Sequence, residues 1–279
     1  MAIFIRFVFG AVIGSFLNVL SLRYDPDKFI LDTKLMGGRS HCPHCKKTLR
    51  WHELIPLLSF AVQGGKCRAC RTRLTFQYPL VELLSALIFV FIPLHVPSGD
   101  NYYYISSIWI FVFTVLLLIS IIDIKHYLLP DEGNIALVLL GLTLLRFEWQ
   151  MPVTSLSFLD GYASIFGFYQ NLFLNRFFAV CVAAIFFWLL IFITKGRGMG
   201  WGDLKLVVPL ALLFGWPDIL FLVCFAFVAG SVVGIALIIK GKKTMKQVLP
   251  FGPFLALGAV FMFFMGAQVF SWYFGLIGL

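Results

Sequence analysis

Long apolar runs are the feature of this 279-residue chain that most restricts how it can fold. A helix of about 20 apolar residues spans the hydrocarbon core of a bilayer. Because 61% of the residues are hydrophobic and only 13% are charged, the composition excludes an ordinary soluble globular protein and a disordered or collagen-like chain. We therefore predict an all-α polytopic membrane protein with about eight transmembrane helices, at residues 2–22, 79–96, 104–122, 134–145, 177–194, 204–216, 218–239 and 251–277. The runs at 134–145 and 204–216 are short, so truncated, tilted or re-entrant helices are expected there.

The lysines and arginines are distributed unevenly between the connecting segments. If all eight runs cross the bilayer, the connectors on one side hold 19 of the 22 basic residues, and short basic loops are retained in the cytoplasm. We therefore predict that both termini lie outside and that four connectors are cytoplasmic: 23–78, 123–133, 195–205 and 240–250. Segment 146–176 is interpreted as a loop on the outer side. The net charge of +9 follows mainly from this topology, so a nucleic-acid partner is not expected.

Four of the six cysteines form two closely spaced pairs in the first long connector. Two C-x2-C motifs separated by 21 residues bring four thiolates within reach of one tetrahedral Zn²⁺ ion, and four protein ligands make a closed, structural site. Two disulfides are the weaker interpretation in a reducing cytoplasm, and a C-x-x-C redox role does not require a second pair. The predicted zinc ligands are Cys42, Cys45, Cys67 and Cys70, and the neighbouring histidines are expected to be solvated: His41, His44 and His52.

The connector that holds these cysteines has few apolar residues outside 54–62. A domain of this size is commonly held together by a metal because its own core is too small. The sequence therefore predicts three parts: a first transmembrane helix at 1–22, a small zinc-bound cytoplasmic loop domain at 23–78, and a seven-helix membrane domain at 79–279.

Two carboxylates border apolar runs. Asp123 ends the third run and Asp203 begins the sixth, and an ionisable residue against so much apolar surface is costly unless it is functional. The predicted topology puts both at the same depth on the cytoplasmic face, although 80 positions separate them. Two carboxylates held close together share one proton and can act as general acid and general base, which is aspartic protease chemistry. Taken singly, Asp203 is equally well explained as a helix N-cap and Asp123 as a residue at headgroup level.

Other residues near these runs have competing interpretations. Asp131 is a rival for the first aspartate role, but its Leu-Leu-Pro-Asp-Glu-Gly context indicates a turn or the start of the next helix. Glu82 lies four positions into the second run, where a side chain snorkelling to the headgroups is the simple interpretation. Three glycines predict a left-handed or tight backbone that lets a peptide approach closely: Gly198, Gly200 and Gly202.

At these residues the chain resembles the prepilin peptidases, or type IV leader peptidases, of the GxGD class of intramembrane aspartic proteases. The resemblance covers nearly the whole length. The matching segments, in family order, are Gly14-Ser15-Phe16-Leu17-Asn18-Val19, Arg39-Ser40-His41 with the two cysteine pairs, Ile55-Pro56-Leu57-Leu58-Ser59, Tyr78-Pro79-Leu80-Val81-Glu82, Asp123 with Pro130-Asp131, Gly200-Trp201-Gly202-Asp203-Leu204-Lys205-Leu206, and Pro250-Phe251-Gly252-Pro253-Phe254.

The resemblance implies an activity, substrates and a cofactor. Members of the family cut the basic leader from type IV prepilins and type II secretion pseudopilins after a glycine, at the cytoplasmic face of the bacterial inner membrane. By carry-over, Asp123 and Asp203 are the catalytic pair. Members with the cysteine loop usually also methylate the new N-terminus with S-adenosylmethionine, but no nucleotide-binding glycine fingerprint marks a donor site. The chain departs from the family at His52-Glu53-Leu54, where many relatives have an asparagine, in the loop associated with methylation.

Two functions from other classes use the same features. A proton-coupled transporter would use the carboxylates as a relay, and it predicts that they lie near the middle of the membrane. A non-enzymatic tether would bind a cytoplasmic partner through the zinc loop, and it predicts that residues 204–279 are dispensable.

Overall fold

A computed structural model of the protein describes residues 1–29, 37–42, 44–148, 171–196, 198–241 and 249–277. These residues form helices and connecting loops, with two isolated antiparallel bridges as the β-structure of the described part. The helices are α1 (Ala2–Arg23), α2 (Leu58–Val62), α3 (Gln77–His95), α4 (Tyr102–His126), α5 (Asp131–Glu148), α6 (Leu172–Thr194), α7 (Trp201–Phe214), α8 (Asp218–Ile239) and α9 (Gly252–Ile277), with a 3-10 helix at Trp51–Glu53.

Each of the eight predicted apolar runs coincides with one of the long helices, so the predicted all-α polytopic class is confirmed. Within the described residues, five helices are long and apolar enough to cross a membrane: α1, α3, α4, α6 and α8. In α9, the described part Gly252–Gly266 is an apolar helix as well.

The two short runs give helices that begin earlier than their apolar residues. Helix α5 begins at Asp131 and α7 at Trp201, so Asp203 lies inside the first turn of α7 and not at its N-cap. Acidic residues are favourable in a first helical turn, where unpaired N–H groups point outwards, although they add nothing to hydropathy. Of the predicted outer loop 146–176, the structure describes the end of α5 and the start of α6, and residues 149–170 lie outside the described part.

The chain divides into two compact units, residues 1–95 and 96–279. In the first unit α1 packs along α3, and small residues let the two backbones approach closely, as is common between membrane helices. A Cβ added at Gly14 would lie 2.7 Å from the Cα of Glu82, and one at Gly10 would lie 2.8 Å from the Cα of Ala86. The hydroxyl of Ser85 donates to the carbonyl of Gly10 at 2.7 Å. The predicted loop domain thus belongs to the same compact unit as α1 and α3.

The second unit is built around α4 and α7. Helix α4 packs against α5 and α9, helix α7 packs against α5 and α6, and α8 packs against α9. Fully buried leucines and isoleucines fill the spaces between these helices, among them Leu116, Ile119, Leu137, Leu206 and Leu210. This packing brings the C-terminal end of α4 and the N-terminal ends of α5, α7 and α9 into one unit.

Candidate active site and metal centre

Asp123 lies in the last turn of α4 and is 5% exposed. The helix ends three residues later, at His126, because Tyr127 takes a left-handed conformation, from which its N–H donates to the carbonyl of Asp123 at 2.8 Å. The side chain meets the first residue of α9, since the N–H of Gly252 donates to its Oδ2 at 2.9 Å. An N–H at a helix N-terminus has no partner within its own helix, and here it holds a carboxylate oxygen.

Asp203 occupies the third position of α7 and is 9% exposed. Its Oδ2 accepts the N–H of Gly200, the extended residue that precedes the helix, at 3.1 Å. The carboxylate therefore helps to cap the helix on which it lies, although it is three positions beyond the N-cap residue, Gly200. This contact engages one oxygen only.

Of the left-handed or tight backbone predicted at Gly198, Gly200 and Gly202, the left-handed alternative is wrong, because none of them has a positive φ. Gly202 is instead required for close packing. A Cβ there would lie 3.1 Å from Cδ1 of Leu129, a residue of the loop between α4 and α5.

The side chain of Leu129 connects the surroundings of the two aspartates. It contacts Gly202, beside Asp203, and it also faces Gly252, whose N–H binds Asp123. The two aspartates thus lie beside glycines that meet the same leucine side chain. The structure thus brings together the two residues that the sequence singled out, from α4 and α7.

Each carboxylate keeps one oxygen without a protein partner. Within the described residues, the Oδ1 atoms of Asp123 and Asp203 accept no hydrogen bond. Neither of these two atoms is fully buried. Two neighbouring carboxylates with accessible oxygens can bind a water molecule between them and can share a proton. Both lie at helix ends, Asp123 in the last turn of α4 and Asp203 in the first turn of α7.

Asp131 is the first residue of α5 and faces outwards. Its carboxylate forms a salt bridge of 2.8 Å with Lys205, and the two side chains are 62% and 53% exposed. The start of the next helix, one of the two interpretations of its sequence context, is therefore what the structure has.

The four predicted zinc ligands come together in the first unit. Their Sγ atoms all lie within 4.8 Å of one another, and those of Cys42 and Cys70 are 3.8 Å apart. Tetrahedral zinc with Zn–S distances of about 2.3 Å requires sulfur atoms about 3.8 Å apart, so the cluster fits that ion. The hydroxyl of Thr72, 2.9 Å from Sγ of Cys70, lowers the pKa of that thiol to about 6 and favours the thiolate that binds metal.

The two cysteine pairs fold in the same way. The N–H of Cys42 donates to the carbonyl of Lys47 and that of Cys67 donates to the carbonyl of Thr72, both at 3.0 Å. In each turn the residue four positions after the first cysteine has a positive φ: Lys46 at 58° and Arg71 at 56°. Both turns aim their sulfurs at one point. The nearby histidines contribute no atom to the cluster, as expected: His41, His44 and His52.

Glu82 is not a snorkelling side chain. It is 7% exposed, and its Oε2 accepts the N–H of Leu57, in the loop, at 2.8 Å. Glu53 is likewise buried and accepts the N–H of Arg50 at 2.8 Å, a contact that lowers the pKa of the Glu53 carboxyl. At the positions where the chain departs from the family, 52–54, Glu53 is thus a second buried carboxylate, after Glu82, that binds a backbone N–H of the loop.

Sequence reasoning missed the role of Gly252. Only the resemblance of the segment 250–254 to a family signature marked this position, and no local pattern relates it to an aspartate 129 residues earlier. The structure shows that both its N–H and its lack of a side chain are used, because a Cβ would lie 2.8 Å from Oδ2 of Asp123.

Comparison with known proteins gives a consistent result for both units. The bacterial peptidase A24 N-terminal domain matches residues 8–96, and the type IV leader peptidase family matches residues 110–235. A prepilin leader peptidase/N-methyltransferase of Burkholderia pseudomallei strain 1026b is 32% identical over 93% of this chain and 84% of its own length. Proteins of the same name from Aeromonas hydrophila and Bacillus subtilis are 29% and 28% identical over 96% of this chain, and over 92% and 96% of their own lengths.

No solved structure matches the chain. The boundary between the two family matches falls close to the boundary between the two compact units, at residue 95. The first match contains the cysteine cluster, and the second contains the two aspartates. Together with the identity to the Burkholderia protein, these matches show that the chain belongs to the type IV leader peptidase family.

Proposed function

We propose that the chain is an intramembrane aspartic endopeptidase that cleaves the leader from type IV prepilins or type II secretion pseudopilins. Asp123 and Asp203 are the proposed catalytic pair, and cleavage after a glycine at the cytoplasmic face is the proposed reaction. The observation that carries this proposal is the placement of two buried carboxylates, Asp123 of α4 and Asp203 of α7, each with one unpartnered oxygen. Asp123 binds Gly252 and Asp203 follows Gly202, and both glycines meet the side chain of Leu129. The names of the relatives support the class of substrate.

The chemistry follows from one proton shared by the pair. The ionised carboxylate takes a proton from a bound water, whose oxygen attacks the carbonyl carbon of the scissile peptide, while the protonated carboxyl donates to the carbonyl oxygen. The tetrahedral intermediate then collapses. Its C–N bond breaks, the leaving amine takes a proton from the carboxyl group that removed one from water, and a hydroxyl of the intermediate returns its proton to the other aspartate as the C=O bond re-forms. The products are a free leader carboxylate and a new amino terminus, with no metal required.

The position of the pair suits a substrate that is itself a membrane helix. A prepilin has a basic leader followed by an apolar segment, so its cleavage site lies where the helix leaves the bilayer. Asp123 and Asp203 lie at the end of α4 and the start of α7, next to polar connectors. In the topology proposed from the basic residues, these connectors are cytoplasmic, in a multi-pass protein of the inner membrane with both termini outside.

A second activity is proposed for the first unit. The relatives are named as N-methyltransferases, and S-adenosylmethionine is the proposed donor, which supplies an activated methyl group for the new amino terminus. The four cysteines are proposed to bind a structural zinc ion. A closed shell of four thiolates has no position for a substrate, so the metal would hold the loop and take no part in transfer.

The proposed catalytic pair is tested with Asp123→Asn and Asp203→Asn. The asparagine side-chain oxygen still accepts the N–H of Gly252 or Gly200, so each variant retains its local contact and loses the ionisable group. We expect both to abolish cleavage of a purified prepilin, measured by mass spectrometry of the leader and the mature product. The matched control is Asp131→Asn, an exposed carboxylate on the next helix, which should cleave at the wild-type rate. Cleavage retained by either asparagine variant of the pair would reject the assignment.

A further inference from the structure

The cysteine loop, residues 24–76 between α1 and α3, has an apolar stretch that faces outwards. Segment 54–62 contains α2, and Leu58 and Val62 of that helix are 63% and 71% exposed. The exposed apolar residues of the segment recur at the spacings of three and four that define one face of a helix: Leu54, Ile55, Leu58, Ala61 and Val62. A contiguous apolar face is unusual against water, so it indicates a surface that something covers.

The opposite side of α2 faces the rest of the loop. The ring of Phe60 packs edge-on against that of Phe76, with the ring centroids 6.4 Å apart. A Cβ added at Gly65 would lie 3.1 Å from the ring of Phe60. Residues two apart on a helix point in nearly opposite directions, so Leu58 and Val62 are left outside when Phe60 packs inside.

A hydrogen bond fixes the depth of this segment beside the two long helices. The N–H of Leu57, directly before α2, donates to Oε2 of Glu82 at 2.8 Å. Glu82 is five residues into α3, which at about 1.5 Å per residue is about 7.5 Å past the start of that helix. Its Cα also lies beside Gly14, which is about 13.5 Å from the end of α1 by the same rise.

The lengths of the helices relate that depth to the bilayer. Both α1 and α3 are long and apolar enough to span a membrane. Helix α3 has 19 residues and is about 28 Å long, so it needs nearly its whole length to cross a hydrocarbon core of about 30 Å. The start of α2, which lies beside Glu82, is therefore within the thickness of the bilayer and not above it.

The backbone of the segment suits that depth, where an unpaired N–H group is costly. The N–H groups in α2 and just after it donate to carbonyls four residues earlier. Leu57 has a φ of 62° in a tight turn, which the N–H of Leu58 closes by donating to the carbonyl of Pro56 at 2.6 Å. The N–H of Leu57 is the one that the turn leaves open, and buried Glu82 accepts it.

The loop around the apolar face is basic. Residues 37–78 contain eight lysines and arginines and one acidic residue, Glu53, which is buried. A zinc ion held by four thiolates would add a charge of about −2, so the loop would stay positive. An apolar helix face beside basic side chains is typical of segments that lie in the headgroup layer of an anionic membrane. Exposed Trp51, just before the segment, is of a residue type enriched at membrane interfaces.

We propose that segment 54–62 is inserted into the leaflet nearest the cysteine loop, with Leu54, Leu58 and Val62 in contact with lipid. Helix α2 then lies in the headgroup region beside α1 and α3, and the basic residues of the loop pair with anionic headgroups. The predicted cytoplasmic loop domain thus has one membrane-bound face, which offsets the small apolar core of the loop. The insertion does not depend on either proposed activity.

The first test uses the wild-type protein in lipid nanodiscs. A phospholipid that carries a photoreactive diazirine on an acyl chain, close to the headgroup, is irradiated, and the labelled peptides are identified by mass spectrometry. We expect label within residues 54–62 at a yield within about threefold of that around exposed Val232 of α8. The exposed cysteine turn at 44–48 should carry at least tenfold less label.

Absence of label from 54–62, with α8 labelled, overturns the proposal. A second copy of the chain or a partner protein on this face would shield it from lipid and give that result. The same diazirine is then compared on an anionic and a zwitterionic phospholipid. We expect at least twofold more label within 54–62 from the anionic lipid, relative to α8, and equal yields would overturn the part assigned to the basic residues.

The second test replaces Leu58 and Val62 together by glutamine. Amide groups are costly in hydrocarbon, so we expect label within 54–62 to fall at least fivefold while label in α8 stays the same. The matched control is His44→Gln with Ala69→Gln, two exposed positions of the same loop, which should leave the labelling unchanged. Bound zinc and the melting temperature check the folding of both variants. Unchanged label in a folded Leu58→Gln, Val62→Gln variant overturns the insertion, and the wild-type experiment decides alone if that variant does not fold.

Discussion

Replacing Gly252 by alanine tests the geometry of the aspartate pair. The N–H of Gly252 donates to Oδ2 of Asp123 at 2.9 Å, and an added Cβ would lie 2.8 Å from the same oxygen. It would also lie 2.9 Å from Cδ2 of Leu129, the side chain that contacts Gly202 beside Asp203. Real Cβ atoms essentially never make contacts under 3.0 Å, so the carboxylate and the leucine must both move. One methyl group thus disturbs the surroundings of both aspartates.

The size of the effect follows from these distances. Ordinary van der Waals contact begins at 3.4 Å, so the oxygen must move by about 0.6 Å. This movement lengthens the hydrogen bond from the Gly252 N–H until it is weak. A hydrogen bond to a charged group contributes about 1.5–3 kcal/mol, which corresponds to a loss of roughly 10- to 150-fold in rate. Misplacing a catalytic group by about 1 Å costs a similar factor, on the order of 100-fold. We expect this loss in kcat, with little change in KM.

The assay is steady-state cleavage of a purified prepilin in detergent, with the melting temperature of each variant measured alongside. Gly234→Ala is the matched control, because it makes the same substitution within α8 where a Cβ meets nothing within 4 Å. It should cleave at the wild-type rate. The reasoning is refuted if Gly252→Ala folds normally and its kcat lies within twofold of that of Gly234→Ala.

Two further predictions concern the first unit. Gly14→Ala places a Cβ 2.7 Å from the Cα of Glu82, where only the backbone can yield, so we expect about 1–3 kcal/mol of destabilisation. Thermal unfolding would show it as a lowered melting temperature that is absent in Val12→Leu, on the exposed face of the same helix; equal melting temperatures would contradict it. Cys67→Ser removes one of four clustered thiolates and should lower bound zinc from about one ion per chain to a small fraction, measured by elemental analysis. Cys224→Ser, an exposed cysteine of α8, should retain the metal, and undiminished zinc in Cys67→Ser would reject the site.

Helix identity and the cysteine cluster could be predicted because they depend on short stretches of chain. Hydrophobicity over about 20 residues decides whether a segment is a membrane helix, and all eight runs became helices. A C-x2-C spacing fixes the reach of two sulfurs, and both pairs formed the same turn. Helix starts were less accurate at α5, α6 and α7, which begin three, five and three residues before their predicted runs, because polar residues near a helix start lower the hydropathy of the segment.

The burial of Glu82 was not predictable. A single glutamate near the end of an apolar run fits a headgroup position as well as an interior one. The choice depends on the loop, whose Leu57 supplies the N–H that its carboxylate accepts. The same holds for Asn18, which reads as one polar residue in an apolar helix until α3 brings the carbonyl of Tyr78 to it.

The sequence by itself determined the class of protein, and it singled out the four cysteines that cluster and the two aspartates of the proposed pair, because hydropathy, residue spacing and charge are properties of the chain alone. Only the tertiary structure decided what surrounds those aspartates. Leu129 and Gly252 come from segments with no pattern relating them to Asp123 or Asp203, and the packing of α4, α7 and α9 brings them together. A hydrogen bond between residues 129 positions apart depends on how helices pack, and that is a property of the whole fold.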